Sequence, residues 1–140
     1  MMTAPFTFSH LDHLVLRTEQ PSRLADFYLS LGCTVERDLS DSIGLLQLRM
    51  GASLLDIVDV NGQLGKSGGA GPGDEARNLD HFAVRVEPFD GEAILSFCEA
   101  QGYEAAKPAQ NLLGADGYGP AVYVTDPDGN RIELKGPPEK

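Results

Sequence analysis

One histidine recurs in two copies of the same short stretch, and imidazole is a common ligand of divalent metals. The sequence reads LDHLVLRT at residues 11–18 and LDHFAVRV at residues 79–86. The two copies stand 68 residues apart and share Leu, Asp, His and Arg at the same four places. His13 and His81 are therefore candidate ligands, whereas His10 has no counterpart and is expected to be structural or solvent-facing.

A carboxylate also stands in an apolar strand of each half. Asp56 and Glu133 each have an aliphatic residue on both sides, and strand side chains alternate between faces, so each acid points away from its apolar neighbours. A buried carboxylate without a partner is costly, and a bound cation would relieve that cost.

Two imidazoles and two carboxylates suit zinc, nickel, cobalt, iron or manganese. A pseudo-two-fold axis between the halves would bring equivalent positions together. Taken singly, each residue would more often be a surface or hydrogen-bonded side chain, but the matched pairs favour a metal. The predicted ligands are His13, Asp56, His81 and Glu133.

The elements that must position these residues repeat as well. Apolar periodicity and turn residues predict a single domain over residues 1–140, with a first module at about 9–60 and a second at about 78–136. The glycine-rich segment 61–77 between them reads as a linker or a mobile lid. Each module has the order strand–helix–strand–strand–strand. The predicted strands are 9–18, 33–37, 44–50, 53–60, 79–86, 103–106, 121–125 and 130–135, the helices are 21–31 and 89–100, and a loop is expected at 108–120.

Composition narrows the function classes. The chain has 140 residues, 41% hydrophobic and 23% charged, with a net charge of −10 and a pI near 4.5. An acidic surface argues against nonspecific binding to nucleic acid or to anionic membranes. No apolar run approaches the ~20 residues of a membrane helix, and no secretory signal is visible, so the cytoplasm is expected. Cys33 and Cys98 are expected to be free thiols.

The closing motif VTDPDGNRIEL at residues 124–134, the two His-bearing strands and the helix residues Phe27, Tyr28 and Gly32 resemble the vicinal oxygen chelate superfamily. That superfamily includes glyoxalase I, extradiol dioxygenases, fosfomycin-resistance proteins and bleomycin-binding proteins. The resemblance covers about residues 9–136. It implies an α+β fold in which tandem βαβββ modules form an open, cupped, eight-stranded mixed sheet with a divalent metal in its concavity. Dimers are common in the family, so a homodimer is expected.

The four-ligand pattern is similar to that of glyoxalase I, with Asp56 where glutamate is usual. The resemblance implies a metal-dependent lyase or isomerase whose metal binds two neighbouring substrate oxygens and stabilises an enediolate. A glutathione hemithioacetal is one candidate substrate. Glu133 would serve as ligand and as base. Arg17 and Tyr123 would bind and orient the substrate, although Arg17 and Arg85 also fit surface salt bridges.

Two other functions stay open. Extradiol dioxygenases use two histidines and one glutamate on iron, which His13, His81 and Glu133 would supply, and Tyr123 fits their closing signature. The histidine that should precede this tyrosine is replaced, because residues 114–116 read Gly-Ala-Asp. A small-molecule or antibiotic-binding protein without turnover, as in bleomycin resistance, is the second alternative.

Overall fold

The structure is a computed structural model that describes residues 2–139. The chain divides into two compact units, and the division falls between Gly71 and Pro72, inside the glycine-rich segment. Each unit contains one mixed sheet, with four strands in the first and five in the second. The α+β class and the repeated modules are confirmed, although residues 2–139 form nine strands where eight were predicted.

The first unit follows the order predicted for a βαβββ module. Its sheet has the strand order β1-β4-β3-β2, in which β1 and β4 are parallel and the remaining pairs are antiparallel. Its elements are β1 (His13–Thr18), α1 (Pro21–Ser30), β2 (Thr34–Leu39), the short α2 (Ser40–Ile43), β3 (Leu45–Met50), β4 (Ser53–Asp59) and a 3-10 turn (Gly65–Gly68).

Local sequence explains where helix α1 begins and ends. Pro21 occupies the first turn, where the missing N–H costs nothing. Gly32 takes a φ of 111°, which favours glycine, directly after the helix. The helix packs on β4 and buries Leu24, Phe27 and Tyr28. The strands of this unit bury Leu16, Leu48, Leu55 and Ile57.

The second unit repeats the plan with one additional strand. Its sheet runs β5-β9-β8-β6, with β5 parallel to β9, and β7 also pairs with β8. The elements are β5 (Phe82–Arg85), α3 (Gly91–Gln101), β6 (Glu104–Ala105), β7 (Ala109–Gly114), β8 (Gly117–Thr125) and β9 (Arg131–Lys135). Asp90 accepts a hydrogen bond from the backbone N–H of Ala93 and so caps the start of α3.

The prediction of a loop at residues 108–120 is wrong. β7 and the first part of β8 form a hairpin there, with Gly114 paired to Gly117. Glycine and proline lower strand propensity, and that composition led to the loop prediction. The pairing of β7 along β8 outweighs this propensity, and Gly117 adopts a φ of 127° at the turn.

Both His-bearing strands are shorter than predicted. β1 begins at His13 and β5 begins at Phe82, so His81 lies one residue before its strand.

No described helix has the length and apolar character needed to span a membrane. Cys33 and Cys98 are free thiols, as predicted, and burial raises the pKa of both.

Candidate metal centre

The first unit places a histidine beside a buried carboxylate. The Nε2 atom of His13 lies 3.9 Å from Oδ2 of Asp56. The parallel pairing of β1 with β4 sets Val15 directly opposite Asp56, and His13, two residues earlier, shares the face of Val15. Asp56 is 6% exposed. Its other oxygen, Oδ1, is buried and has no hydrogen-bond partner among residues 2–139, which calls for an explanation such as a bound cation.

The second unit builds the same pair with glutamate. The Nε2 atom of His81 lies 3.4 Å from Oε1 of Glu133, which is 5% exposed. Here Ala83 stands directly opposite Glu133 in the parallel pairing of β5 with β9. In both units, the residue that faces the carboxylate across the parallel strands comes two positions after the histidine. The repeat in the sequence is a repeat in geometry.

The aspartate before each histidine orients the imidazole. Oδ2 of Asp12 lies 2.8 Å from Nδ1 of His13, and Oδ2 of Asp80 lies 2.6 Å from Nδ1 of His81. A carboxylate on one ring nitrogen leaves the other free to ligate and makes it more basic. Sequence reasoning missed this role, although the repeated Leu-Asp-His triplet was the signal for it.

These contacts shift the titration of the groups involved. The hydrogen bond from Asp12 raises the pKa of His13, and the negative charge of Asp56 raises it further. In the second unit, the hydrogen bond with His81 lowers the pKa of Asp80 below its ordinary value. Asp80 is thus held as the charged acceptor that the imidazole N–H of His81 requires.

Tyr123 packs around the second pair. It stands opposite Glu133 in the pairing of β8 with β9. Burial raises the pKa of the Tyr123 hydroxyl, and its hydrogen bond to the Glu133 carboxylate adds to the effect. The ring meets His81 edge to face at 5.8 Å between centroids, and Cζ of Arg131 lies 4.5 Å from the ring centre. Tyr123 is positioned to hold both members of the pair.

A cavity of about 410 Å³ opens beside the second pair, entirely within the second unit. Its lining includes His81 and Glu133, together with three other charged residues, Arg85, Asp116 and Lys135. Arg85 donates to Asp116 at 2.6 Å and also lies 3.3 Å from a carboxylate oxygen of Glu87. The salt bridge considered for Arg85 from the sequence is therefore present.

Arg17 holds the glycine-rich segment of its own unit. Its guanidinium donates to the backbone carbonyls of Gly65 at 3.0 Å, Gly69 at 2.8 Å and Ala70 at 3.1 Å. A Cβ atom on Gly68 would lie 2.5 Å from Nε of Arg17, so the segment packs closely on the arginine. A role of Arg17 in binding a substrate carboxylate stays a prediction.

The structure thus brings the predicted ligands together as two pairs, one in each unit. Within residues 2–139 there is no group of three or more histidine, cysteine, aspartate or glutamate side chains placed to hold a metal. A joint set of His13, Asp56, His81 and Glu133 therefore stays a prediction.

Comparison with known proteins gives the family. The sequence pattern of the Glyoxalase/Bleomycin resistance protein/Dioxygenase superfamily matches residues 10–134. No curated protein sequence matches the chain.

Solved structures share the fold. An integron cassette protein from the mobile metagenome of V. cholerae is 23% identical, with 94% of this chain and 97% of that chain covered and a TM-score of 0.70. A lactoylglutathione lyase from Agrobacterium tumefaciens is 18% identical over 93% and 95% of the two chains, with a TM-score of 0.68. The fosfomycin resistance protein FosX from Listeria monocytogenes is 15% identical over 92% and 91%, with a TM-score of 0.67. The chain belongs to the Glyoxalase/Bleomycin resistance protein/Dioxygenase superfamily.

Proposed function

We propose that the protein is a divalent-metal-dependent lyase or isomerase of the glyoxalase type, acting on a small substrate with two adjacent oxygens. The observation that carries the proposal is the repeated pair. In each unit an imidazole with its Nδ1 bound to an aspartate turns Nε2 toward a nearly buried carboxylate. Such an arrangement prepares nitrogen and oxygen donors for a cation.

The donor chemistry fits a divalent metal. Oδ1 of Asp56 is a buried carboxylate oxygen without a hydrogen-bond partner among the described residues. A bound cation would offset the free-energy cost of burying this unpaired oxygen. Imidazole and carboxylate together suit zinc, nickel, cobalt, iron and manganese. The residues that would hold the metal are His13, Asp56, His81 and Glu133. When bound, the metal would supply Lewis acidity to the two substrate oxygens.

The residues of the second unit would handle the proton. Glu133 is the proposed base, because its carboxylate lines the cavity and is shielded from bulk water. Tyr123 donates a hydrogen bond to that carboxylate and packs on His81. The tyrosine would therefore fix the direction from which Glu133 takes a proton from the substrate carbon and returns it. Its ring also covers the pair from one side.

The likeness to a lactoylglutathione lyase supports the choice of glyoxalase chemistry. We propose a glutathione hemithioacetal as the first substrate to test. Arg17, the residue expected to grip a glutathione carboxylate, already donates to three backbone carbonyls. Glutathione would have to compete with those contacts, so a smaller substrate with adjacent oxygens is the second choice. The homodimer and the cytoplasmic location stay predictions.

The test begins with metal analysis of the purified protein. We expect a divalent metal in near-equimolar amount, and its loss in His81→Ala with the fold retained by circular dichroism. His10→Ala is the matched control, because His10 is exposed and its Nδ1 atom lies 2.7 Å from the hydroxyl of neighbouring Ser9. Unchanged metal content in His81→Ala would contradict the proposed site.

Turnover then separates the reaction classes. Metal-loaded protein should convert the adduct of methylglyoxal and glutathione, and Glu133→Gln should abolish the reaction. Iron content with cleavage of a catechol ring would indicate the dioxygenase instead. A protein that binds small molecules without metal and without turnover would contradict both enzymatic readings.

A further inference from the structure

Lys135 presents an ammonium without a side-chain partner to the cavity of the second unit. The residue is 6% exposed and lines the cavity. Its side chain forms no ion pair or hydrogen bond with any other residue among 2–139. Nζ is not fully enclosed, so the stem of the side chain is buried while the ammonium reaches the cavity. The ammonium is therefore placed to bind an anion that enters the cavity.

Two glycines make room for this side chain. A Cβ atom on Gly114 would lie 2.9 Å from Cε of Lys135, and one on Gly119 would lie 3.2 Å from Nζ. Both distances are shorter than an ordinary contact, so the lysine lies against backbone that only glycine leaves open. The sequence of β7 and β8 thus accommodates a long cationic side chain at this place.

The other charged groups of the cavity are already engaged. Arg85 stands opposite Lys135 in the pairing of β5 with β9, and it binds Asp116 and Glu87. Glu133 faces Nε2 of His81. Of the two cations that line the cavity, Lys135 is therefore the one without an ion-pair partner among the described residues.

We propose that the ammonium of Lys135 binds an acidic group of the ligand, so that the substrate is a small organic anion. The inference rests on the proposed function, since it assigns the substrate class of the same site. Lys135 follows Glu133 by two residues on one strand face, about 6.6–6.8 Å along the strand. A compact molecule can therefore reach Lys135 and the His81–Glu133 pair together. A cavity of about 410 Å³ lies within the range of roughly 300–1,000 Å³ of ligand sites.

The experiment measures anion binding to metal-free protein, independently of turnover. Acetate and inorganic phosphate are titrated separately while the amide resonances of Gly114, Gly117 and Gly136, which line the cavity, are followed by NMR. The variants are Lys135→Met and Lys135→Gln. Lys107→Met is the matched control, because Lys107 is exposed and does not line the cavity.

We expect wild type and Lys107→Met to bind at least one of the two anions, and both Lys135 variants to bind it at least tenfold more weakly. Stronger binding of acetate would indicate a carboxylate substrate, and stronger binding of phosphate would indicate a phosphate or phosphonate. Folded Lys135 variants that bind as wild type does, or a wild type that binds neither anion, would overturn the inference. Because the protein is metal-free, either result is separate from failure of the metal analysis.

Discussion

Asp80→Asn tests whether the aspartate that precedes a histidine supports metal binding. Oδ2 of Asp80 lies 2.6 Å from Nδ1 of His81, a short hydrogen bond. Loss of such a partner of a ligating histidine typically weakens metal affinity by about 10- to 100-fold. The Asp80 side chain is 86% exposed, so water replaces part of the interaction and we expect about tenfold. Competition for zinc with a fluorescent chelator measures the change.

The matched control is Asp74→Asn. Asp74 is also exposed and lies in the second unit, so this variant removes the same formal charge without touching a histidine. Asp80→Asn should weaken zinc binding clearly more than Asp74→Asn does. Equal affinities in the two variants would show that Asp80 acts only through net charge and would refute the reasoning.

The first unit offers a second measurement of the same effect, made without metal. The pKa of His13 is raised above its ordinary value of 6.5, mainly by the hydrogen bond to Asp12. Asp12→Asn should therefore lower the midpoint of the His13 ring titration in NMR. Folding raises the pKa of His13, so the bond stabilises the folded protein when the imidazole is protonated. The contribution is complete at pH values below the pKa of the unfolded state. It is lost as the pH rises through the pKa of the folded state. A midpoint that Asp12→Asn leaves unchanged would contradict the assignment.

Two predictions concern stability, measured by urea unfolding. Leu16→Ala should destabilise the protein by about 2–5 kcal/mol, because Leu16 is fully buried. Val15 lies on the other face of β1 and is 43% exposed. Val15→Ala should therefore cost less than about 1 kcal/mol. Gly65→Ala should cost about 1–3 kcal/mol, because its Cβ would lie 2.0 Å from the carbonyl oxygen of Asp59. Gly73→Ala, with open space around it, should be neutral or stabilising by up to about 1 kcal/mol. Equal losses within either pair would contradict the packing described.

The repeat made most of the fold predictable. Helix α1 lies between Pro21 and Gly32 as the sequence indicates, since proline and glycine act locally at helix ends. The hairpin of β7 and β8 could not be predicted, because it depends on pairing between segments whose own propensity for strand is low. The strand ends near His13 and His81 were also misplaced, since hydrophobic pattern does not fix where pairing stops.

The site residues were predictable where an unusual residue type in a strand occurs in both halves of the sequence. Asp56 and Glu133 stood out because a carboxylate in an apolar strand needs a partner, and both are nearly buried. The hydrogen bonds of Asp12 and Asp80 with the neighbouring histidines were not predicted, because adjacent residues in a strand normally point to opposite faces. Lys135 gave no signal at all, because lysine near the end of a strand is ordinary and only burial without a partner marks it.

The repeated pair has a consequence for how far the two halves can differ. Each half contributes one histidine and one carboxylate. The rest of each half can therefore vary without changing that donor pair. In the present chain the first copy has Asp56 as its acid, and Arg17 holds its glycine-rich segment. The second has Glu133 and a cavity that Lys135 lines. The donor pair is common to both halves, and the other features are divided between them.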